Sequence, residues 1–216
     1  MISTEKKFLF IHVPKTGGNS IQNVLQEFSD DEIVCSEEHH DGVERFGIRN
    51  SRYKIKKHSP LAQYKRELNP DLFNSLFKFA IIRNPWDKMV SWYFSPGRGR
   101  EGWDRDAFIE MVHKKPPLSH HVIHPTFTEK VARKLSMPRQ YPKLDRDIDL
   151  LLSFERLNED FKKLCERIGV PPVDLPVRNK SSREHYSHYY DDELKSLVAE
   201  RYRDEIEFGR YEFETH

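Results

Sequence analysis

Near its amino end the chain reads Lys7-Phe8-Leu9-Phe10-Ile11-His12-Val13-Pro14-Lys15-Thr16-Gly17-Gly18-Asn19-Ser20. An apolar run breaks there into a small turn that contains two glycines and one lysine. After the turn, Ile21, Val24, Leu25 and Phe28 recur at the spacing of an amphipathic helix. A strand, a tight loop and a helix are therefore predicted in that order. Such a loop directs backbone N–H groups and a helix N-terminus toward one point, which suits a phosphate.

The loop differs from the usual nucleotide-binding loop in the position of its lysine. Glycines let the backbone approach a ligand closely, and Lys15 supplies a point charge. The Walker pattern G-x-x-x-x-G-K-[ST] is absent, because Lys15 precedes Gly17 and Gly18 instead of following them. On this segment alone, an ordinary strand-to-helix turn remains the alternative interpretation.

Length and composition narrow the class of protein. The 216 residues are expected to form one domain, 1–216, with a substantial core. The net charge of +1 gives no overall field that would attract nucleic acid or a membrane surface. Cys35 and Cys165 are too few and too far apart for a disulfide framework, which favours a reducing compartment. Because neither a signal peptide nor a membrane-spanning stretch is recognisable, we expect a cytoplasmic protein without an integral membrane segment.

Strand and helix patterns alternate along the rest of the chain. Further strands are predicted at Tyr53–Lys56, Leu76–Ile82 and Ile148–Phe154. Further helices are predicted at Pro60–Leu68, from Pro85 onward, at 104–114, at Leu157–Ile168 with Gly169 closing it, and at Asp191–Phe208. Apart from the helix at 104–114, residues 95–145 are rich in proline and glycine and are expected to be irregular. This alternation indicates an α/β fold with a mostly parallel sheet.

A second candidate anion site follows the strand Leu76–Ile82. Arg83 stands where that strand ends, and open parallel sheets bind ligands at this edge. Ser91 lies about two turns into the following helix. The guanidinium group of an arginine, together with a hydroxyl, can form the hydrogen bonds that bind a second phosphate. A purely structural ion pair between Arg83 and a carboxylate is the alternative.

A histidine follows the strand predicted at Tyr53–Lys56. His58 is placed by this prediction at the ligand edge, and histidine is the usual general base at neutral pH. Lys56, two residues earlier, would point to the same side of an extended chain and could stabilise negative charge. A solvated basic edge is the alternative interpretation.

Together these segments resemble the sulfotransferases that use 3′-phosphoadenosine 5′-phosphosulfate (PAPS). Pro14-Lys15-Thr16-Gly17-Gly18-Asn19-Ser20 looks like the 5′-phosphosulfate loop of that family. Arg83 and Ser91, eight residues apart, match the spacing of its 3′-phosphate-binding arginine and serine. Lys56-Lys57-His58-Ser59-Pro60 is similar to its Lys-x-His-x-Pro element, which carries the catalytic lysine and histidine.

Two weaker motifs extend the resemblance over most of the chain except about 95–145. Arg178-Asn179-Lys180-Ser181-Ser182 resembles a basic loop that closes over the 3′-phosphate, which places Lys180 and Ser181 among the cofactor-binding residues. Ser153-Phe154-Glu155-Arg156-Leu157 looks like a strand-to-helix element of the same fold. The form of the first loop and the chain length are closer to the carbohydrate-type branch, sulfotransferase family 2.

The resemblance implies a three-layer α/β sandwich with a central, mostly parallel sheet and a P-loop-like phosphosulfate loop. It implies PAPS as sulfuryl donor, no metal, and in-line transfer to a hydroxyl of a carbohydrate or glycolipid. Lys15 would neutralise charge on the bridging and leaving oxygens, His58 would accept the proton of the hydroxyl, and Lys56 would assist at the sulfuryl group. Gly18 and Asn19 stand where many members place threonines, so backbone N–H groups and Ser20 would carry more of the 5′-phosphate binding.

Metal binding has weak support in the sequence. No carboxylate pair accompanies the loop to hold magnesium. His39-His40 and His120-His121-x-x-His124 lack a cysteine or a placed carboxylate, so they are interpreted as solvated or acceptor-facing. A P-loop kinase or nucleotide phosphatase with a degenerate loop remains an alternative, although Asn19-Ser20 follow the last glycine where it needs a lysine. A non-catalytic nucleotide-binding module is the other alternative to a sulfotransferase.

The acceptor is the least determined part of the prediction. Residues 95–145 are expected to bind it, because basic and aromatic side chains on irregular segments suit an anionic sugar. The residues in question are Arg98, Arg100, Trp103, Arg105, Lys114, Lys115, Phe127, Arg133, Lys134 and Arg139. A small metabolite hydroxyl remains equally open, and the sequence does not indicate an oligomeric state.

Overall fold

The computed structural model describes residues 1–35, 46–95, 102–129, 143–176 and 183–215. The strands are β1 (Ile2–Ser3), β2 (Phe8–Ile11), β3 (Glu32–Cys35), β4 (Phe46–Arg49), β5 (Phe77–Ile82) and β6 (Leu150–Ser153). The α-helices are α1 (Gly18–Leu25), α2 (Leu61–Glu67), α3 (Pro70–Ser75), α4 (Pro85–Tyr93), α5 (Arg105–Lys114), α6 (Leu118–Val122), α7 (Leu157–Ile168), α8 (Asp192–Arg201) and α9 (Arg203–Gly209). Short 3₁₀ turns cover Gln26–Phe28, Phe154–Arg156 and Tyr186–Tyr189.

The central sheet has four strands in the order β1-β2-β5-β6. The strands β2, β5 and β6 are parallel, and β1 pairs antiparallel with β2. All four residues of β2 are buried, as expected for a strand covered on both faces. Because parallel strands end at the same edge, His12, Arg83 and Phe154 all lie at the carboxyl edge of this sheet. The strands β3 and β4 form a separate antiparallel pair.

Helices cover both faces of the central sheet. One face of β2 and β5 (Leu9, Ile11, Ala80, Ile82) packs in a cluster with Leu61 and Tyr64 of α2 and Leu118 and Val122 of α6. The opposite face (Phe8, Phe10, Phe79, Ile81) packs in a cluster with Ile21 and Leu25 of α1 and Phe161 and Leu164 of α7. The alternation of side chains along each strand separates the two clusters. The predicted α/β fold, a central and mostly parallel sheet between helical layers, is confirmed.

A third cluster of buried side chains joins α4, α5 and α8. Beside it lies a buried ion pair between Lys88 of α4 and Glu205 of α9, which are 2% and 1% exposed. The other Glu205 oxygen accepts the N–H of Leu118, at the start of α6, at 2.8 Å. Because an unpaired buried charge is strongly destabilising, this pair fixes α9 against both α4 and α6.

The segment after α9 returns across the N-terminal end of α4. The Tyr211 hydroxyl donates to Glu155 Oε2 at 3.0 Å, and the same carboxylate accepts the Asn84 N–H at 2.8 Å. The Phe213 ring packs edge-on against Trp86 with centroids 5.5 Å apart. Tyr211 and Phe213 therefore attach this segment to the loop that joins β5 to α4 and to the first turn of α4.

Most predicted elements are present, but the strand predicted at Tyr53–Lys56 is wrong. These residues are irregular. Asn50 Oδ1 accepts the N–H groups of both Arg52 and Tyr53, and Ser59 Oγ accepts the N–H of Lys56 at 2.8 Å. These short polar side chains thus occupy backbone N–H groups that would otherwise bond to a neighbouring strand. The sequence reasoning also missed β1, β3, β4, α3 and α6.

The single helix predicted at Asp191–Phe208 is also wrong, because it breaks into α8 and α9 at Tyr202. The backbone of Tyr202 lies outside the helical region, with φ −114° and ψ 27°. Its ring is buried, and its hydroxyl reaches the carbonyls of Val112 and Lys115 at 3.3 and 3.2 Å. Docking of this phenol against the end of α5 accounts for the break.

Candidate active site

The loop between β2 and α1 has the backbone that its glycines predict. Gly17 precedes α1 with φ 81°, in the left-handed region. A Cβ on Gly17 would lie 2.9 Å from Leu157, and a Cβ on Gly18 would lie 2.4 Å from the His12 ring. Within the described part of the chain, no side chain caps α1. The start of this eight-residue helix therefore offers backbone N–H groups to an anion.

The Thr16 side chain and the Ser20 backbone stabilise the turn of this loop. The Thr16 hydroxyl donates to Val13 O at 2.8 Å and is 1% exposed. The Ser20 N–H donates to Gly17 O at 3.1 Å. Thr16 and Ser20 therefore hold the shape of the loop through these bonds. Pro14 and Asn19 are half-buried.

Lys15 has an uncommon backbone conformation for a residue with a side chain. Its φ is 64°, in the left-handed region, where such residues cost of order 1 kcal/mol or more. Its Nζ donates to Ser95 Oγ, just after α4, at 3.3 Å. Strain of this kind persists only where the surroundings enforce it, and it concentrates at functional sites.

Arg83 connects this loop to α4. Its Nη1 donates to Lys15 O at 2.7 Å and to Ser91 Oγ at 3.3 Å, and its Nε donates to Asp87 Oδ2 at 2.8 Å. The guanidinium lies 3.9 Å from the ring centre of Phe154. Arg83 is thus a structural ion-pair partner, as the alternative interpretation allowed, and it is also next to Ser91 as the spacing predicted.

Local sequence explains why Asp87 and Ser91 face Arg83. Asn84 caps α4 by accepting the N–H of Trp86, and Pro85 occupies the first helical position. Because α4 begins at Pro85, both Asp87 and Ser91 lie within the helix. Their spacing of four residues places them on one face of it. That face is turned to the end of β5.

Arg183 is a site residue that the sequence reasoning missed. Its Nη2 bonds to Asp87 Oδ1, so one carboxylate bridges Arg83 and Arg183. Burial tends to raise the pKa of Asp87, but the two guanidinium groups outweigh burial and hold it below its usual range. The Arg183 Nε is buried and has no hydrogen-bond partner among the described residues. An unpaired guanidinium N–H beside Arg83 fits an additional anion.

Lys180 and Ser181 lie outside the described residues. Arg183 stands two residues after Ser181 and joins the Arg83 site through Asp87. The signal for Arg183 was present in the sequence, because the basic run 178–183 includes it. Asp87, which bridges the two arginines, could have been found from its i+4 position relative to Arg83.

His58 lies beside the carboxyl end of β2, although no strand leads to it. Its Nδ1 is 3.0 Å from His12 O, and the two imidazole rings are 4.6 Å apart in an edge-to-face arrangement. A carbonyl only accepts, so Nδ1 carries the proton and Nε2 of neutral His58 is free to accept another. Partial removal of the ring from solvent lowers the pKa of His58, and the charge of Lys57 lowers it further. The hydrogen bond to His12 O acts in the opposite direction.

Lys57, rather than Lys56, is the lysine whose charge acts on His58 and on His12. Lys56 is exposed, and the backbone there turns, with the Ser59 N–H donating to Lys56 O at 2.9 Å. The expected alternation of side chains along an extended strand therefore does not apply. The assistance proposed for Lys56 loses its geometric basis.

A third histidine approaches this region from α6. His121 is 5% exposed, and neither of its ring nitrogens has a hydrogen-bond partner among the described residues. Burial, followed by the nearby charges of His120, His58 and Lys88, lowers its pKa to about 3. His121 is therefore neutral at physiological pH.

A metal site is not indicated by the described residues, which contain no cluster of three or more histidine, cysteine or acidic side chains suited to an ion. His39 and His40 lie outside those residues. The described helices also include none long and apolar enough to cross a membrane.

The predicted acceptor region is partly regular and many of its charges are paired. Arg105 bonds to Asp191 and Glu193, and Lys114 pairs with Glu110. Trp103 packs against Tyr93, Phe108 and Tyr189. Phe127 is 80% exposed. Lys115 lies over the Trp92 ring, at 4.8 Å from its centroid. The remaining basic residues named for this region, Arg98, Arg100, Arg133, Lys134 and Arg139, lie outside the described residues.

Sequence comparison relates this chain to known proteins. An uncharacterized protein of Archaeoglobus fulgidus is 27% identical over 128 residues, which cover 59% of this chain and 96% of that protein. No solved structure matches the chain. The sequence model of the sulfotransferase family matches residues 1–212, nearly the whole length. With a match of that extent, the chain belongs to the sulfotransferase family.

Proposed function

We propose that this protein transfers a sulfuryl group from PAPS to a hydroxyl of an acceptor, a carbohydrate or glycolipid. The observation that carries the proposal is the bond from Arg83 Nη1 to Lys15 O at 2.7 Å. It joins the loop after β2 and the end of β5, two segments that are far apart in sequence and that we propose bind anions. A donor that carries phosphate at two positions, 5′ and 3′, requires such a pair.

The residues present fit this donor. The uncapped start of α1 and Lys15 would hold the 5′-phosphosulfate, with the glycines allowing close approach. Arg83, Ser91 and the unpaired Nε of Arg183 would hold the 3′-phosphate. The same role is proposed for Lys180 and Ser181. When bound, the donor supplies the activated sulfuryl group.

The protein's own residues then have distinct tasks. Sulfuryl transfer, like phosphoryl transfer, needs positioning and charge neutralisation more than covalent chemistry. Lys15 would neutralise negative charge that grows on the leaving oxygen. His58, with Nδ1 bonded to His12, would accept the hydroxyl proton at Nε2. We propose no metal in this reaction, and we place the protein in the cytoplasm, where the buried thiol of Cys165 would stay reduced.

Ligand-induced stabilisation tests the donor against the alternatives. A ligand that binds only the native state raises the melting temperature. We expect 3′-phosphoadenosine 5′-phosphate (PAP) to raise it and ATP with Mg²⁺ to have little effect. The reverse result would favour a P-loop kinase or phosphatase. Binding of PAP without sulfuryl transfer to sugar, lipid or phenol acceptors would favour a non-catalytic module.

Replacement of His58 tests the base. His58→Ala should lower turnover roughly 10²–10⁴-fold, the usual contribution of general-base catalysis. PAP binding should stay nearly intact, because His58 is not among the residues assigned to either phosphate. His113→Ala, which removes an exposed histidine at the end of α5, is the matched control and should leave turnover unchanged. Full activity of the His58 variant would exclude it as the base.

A further inference from the structure

His12 is a buried imidazole placed between the two halves of the site. It directly follows β2, two residues before Pro14, and is 3% exposed. Its ring stacks on Phe10, with centroids 5.6 Å apart. In the proposed reaction the carbonyl of His12 orients His58, whereas the His12 side chain takes no part in either phosphate site or in proton transfer.

On one side the His12 ring touches the loop and α1. Nδ1 lies 2.7 Å from Gln22 Oε1, an amide oxygen that only accepts, so Nδ1 carries the proton. The Cδ2 and Nε2 atoms occupy the space beside Gly18, where a Cβ would lie 2.4 and 2.5 Å from them. The ring is thus fixed by one hydrogen bond and by contact with the helix start.

On the other side the same residue touches His58. Its carbonyl accepts the Nδ1–H of His58 at 3.0 Å, and its ring meets the His58 ring at 4.6 Å and 71°. The hydrogen bond selects the His58 tautomer, and the ring contact restricts rotation of the imidazole. His12 therefore contacts both the loop that would hold the phosphosulfate and the base that would act on the acceptor.

His12 is not suited to be a second base. Burial holds the pKa of His12 well below its ordinary range, and the charges of His58 and Lys57 lower it further. A buried, neutral ring wedged between Gly18 and His58 acts through its shape and its hydrogen bonds.

We propose that His12 is a positioning residue that sets the separation between the phosphosulfate loop and His58. This inference rests on the proposed role of His58 as the base. In-line transfer requires the base, the acceptor oxygen and the sulfuryl group to be aligned, and a displacement of about 1 Å can cost about 10²-fold in rate. A spacer that contacts both segments would keep this alignment.

A double-mutant cycle between His12 and His58 tests the inference. His12→Ala should lower turnover roughly 10- to 100-fold, with the dissociation constant of PAP nearly unchanged. In the His58→Ala background the same substitution should cause no further loss, since there is no base left to position. His12→Phe, which keeps a ring but loses the bond to Gln22, provides the same cycle if the alanine variant does not fold.

Leu164→Ala is the matched control, because Leu164 is fully buried on α7, on the opposite face of the sheet from α2 and α6. Its effect on turnover should be the same with or without His58. If His12→Ala slows the wild type and the His58→Ala variant by the same factor, His12 is merely structural and this inference fails alone. If His58→Ala is fully active, the base assignment fails, and the inference fails with it.

Discussion

The donor side and the base side of the site are built differently. The donor side consists of the loop after β2 with Arg83, Asp87, Ser91 and Arg183. Apart from Arg183, these residues lie on regular strand-to-helix junctions. The base side consists of His12, His58 and His121, and His58 itself lies on an irregular segment. Donor-side charges belong to lysine, arginine and a carboxylate with a lowered pKa. The base side instead holds imidazoles whose pKa values the protein lowers.

Because of this difference, donor binding and proton transfer should depend differently on pH. Lysine, arginine and a paired carboxylate keep their charges across neutral pH. We therefore expect donor binding to vary little near neutrality. Proton uptake by imidazoles, in contrast, begins on the acid side of neutrality. The base side should therefore determine how both turnover and stability respond to acid.

The donor side itself contains two contrasting cations. Arg83 is 8% exposed and fixed by Asp87, Ser91, Lys15 O and the Phe154 ring. Lys15 is half-buried, strained in its backbone, and reaches a serine hydroxyl. A rigidly held guanidinium group is suited to binding the donor in the ground state. An ammonium group on a flexible side chain is suited to stabilising negative charge that develops during the reaction.

Within the donor side, the larger effect is expected at Lys15. Lys15→Ala should lower turnover roughly 10²–10³-fold, the range seen when one transition-state donor is removed. PAP affinity should fall much less, because the leaving-group charge grows only toward the transition state. Steady-state kinetics with PAPS and calorimetry with PAP measure the two effects.

Lys7→Ala is the control for Lys15, since Lys7 also has a positive φ, 52°, but is exposed at the turn before β2. It tests the effect of replacing a lysine in this backbone conformation away from the site. Normal turnover with only weaker binding in Lys15→Ala would contradict the distinction between the two cations.

A smaller effect is expected at Arg83. Arg83→Ala should weaken PAP binding by roughly 1.5–3 kcal/mol, the usual worth of a charge-assisted hydrogen bond. Adenosine 5′-phosphosulfate lacks the 3′-phosphate and should bind almost as before. Calorimetry with both ligands measures the difference. Equal losses for the two ligands would show that Arg83 acts only by bracing the loop through Lys15 O.

The smallest effect concerns stability on the base side. In the unfolded chain an imidazole takes up a proton near pH 6.5, whereas buried His121 does so only near pH 3. Between these values the unfolded state binds more protons, so stability is lost as the pH falls. His121→Leu should reduce this slope by up to about 1.4 kcal/mol per pH unit. Urea unfolding from pH 7 to 4 measures it, and an unchanged slope would contradict the buried, neutral His121.

Sequence patterns predicted the donor side better than the base side. The order strand, loop, helix around residues 8–25, the strand ending before Arg83 and the helix starting at Pro85 all depend on neighbours within a few residues. Apolar runs, glycine and a proline at the first helical position encode such features locally. In the structure, Arg83 Nη1 accordingly lies 3.3 Å from Ser91 Oγ.

The base side depends on contacts between distant segments. His58 was singled out, but on a strand that does not exist, and its partner His12 is 46 residues away. His121 comes from α6, a helix of five residues that two prolines precede. Neither contact follows from spacing or periodicity. The basic run 178–183 includes Arg183, but that run does not indicate its position beside Arg83, which is defined by Asp87, 96 residues earlier.

The attachment of residues 205–213 to the start of α4 and to its preceding loop has a consequence for biosynthesis. Glu205 neutralises Lys88, Phe213 packs on Trp86, and Tyr211 bonds to the carboxylate that holds the Asn84 N–H. A ribosome makes these residues after every other part of the site. The nascent chain therefore carries Lys88 without its carboxylate partner while α4 is already synthesised. The junction that presents Arg83 gains its last contacts described above only after translation of residue 213.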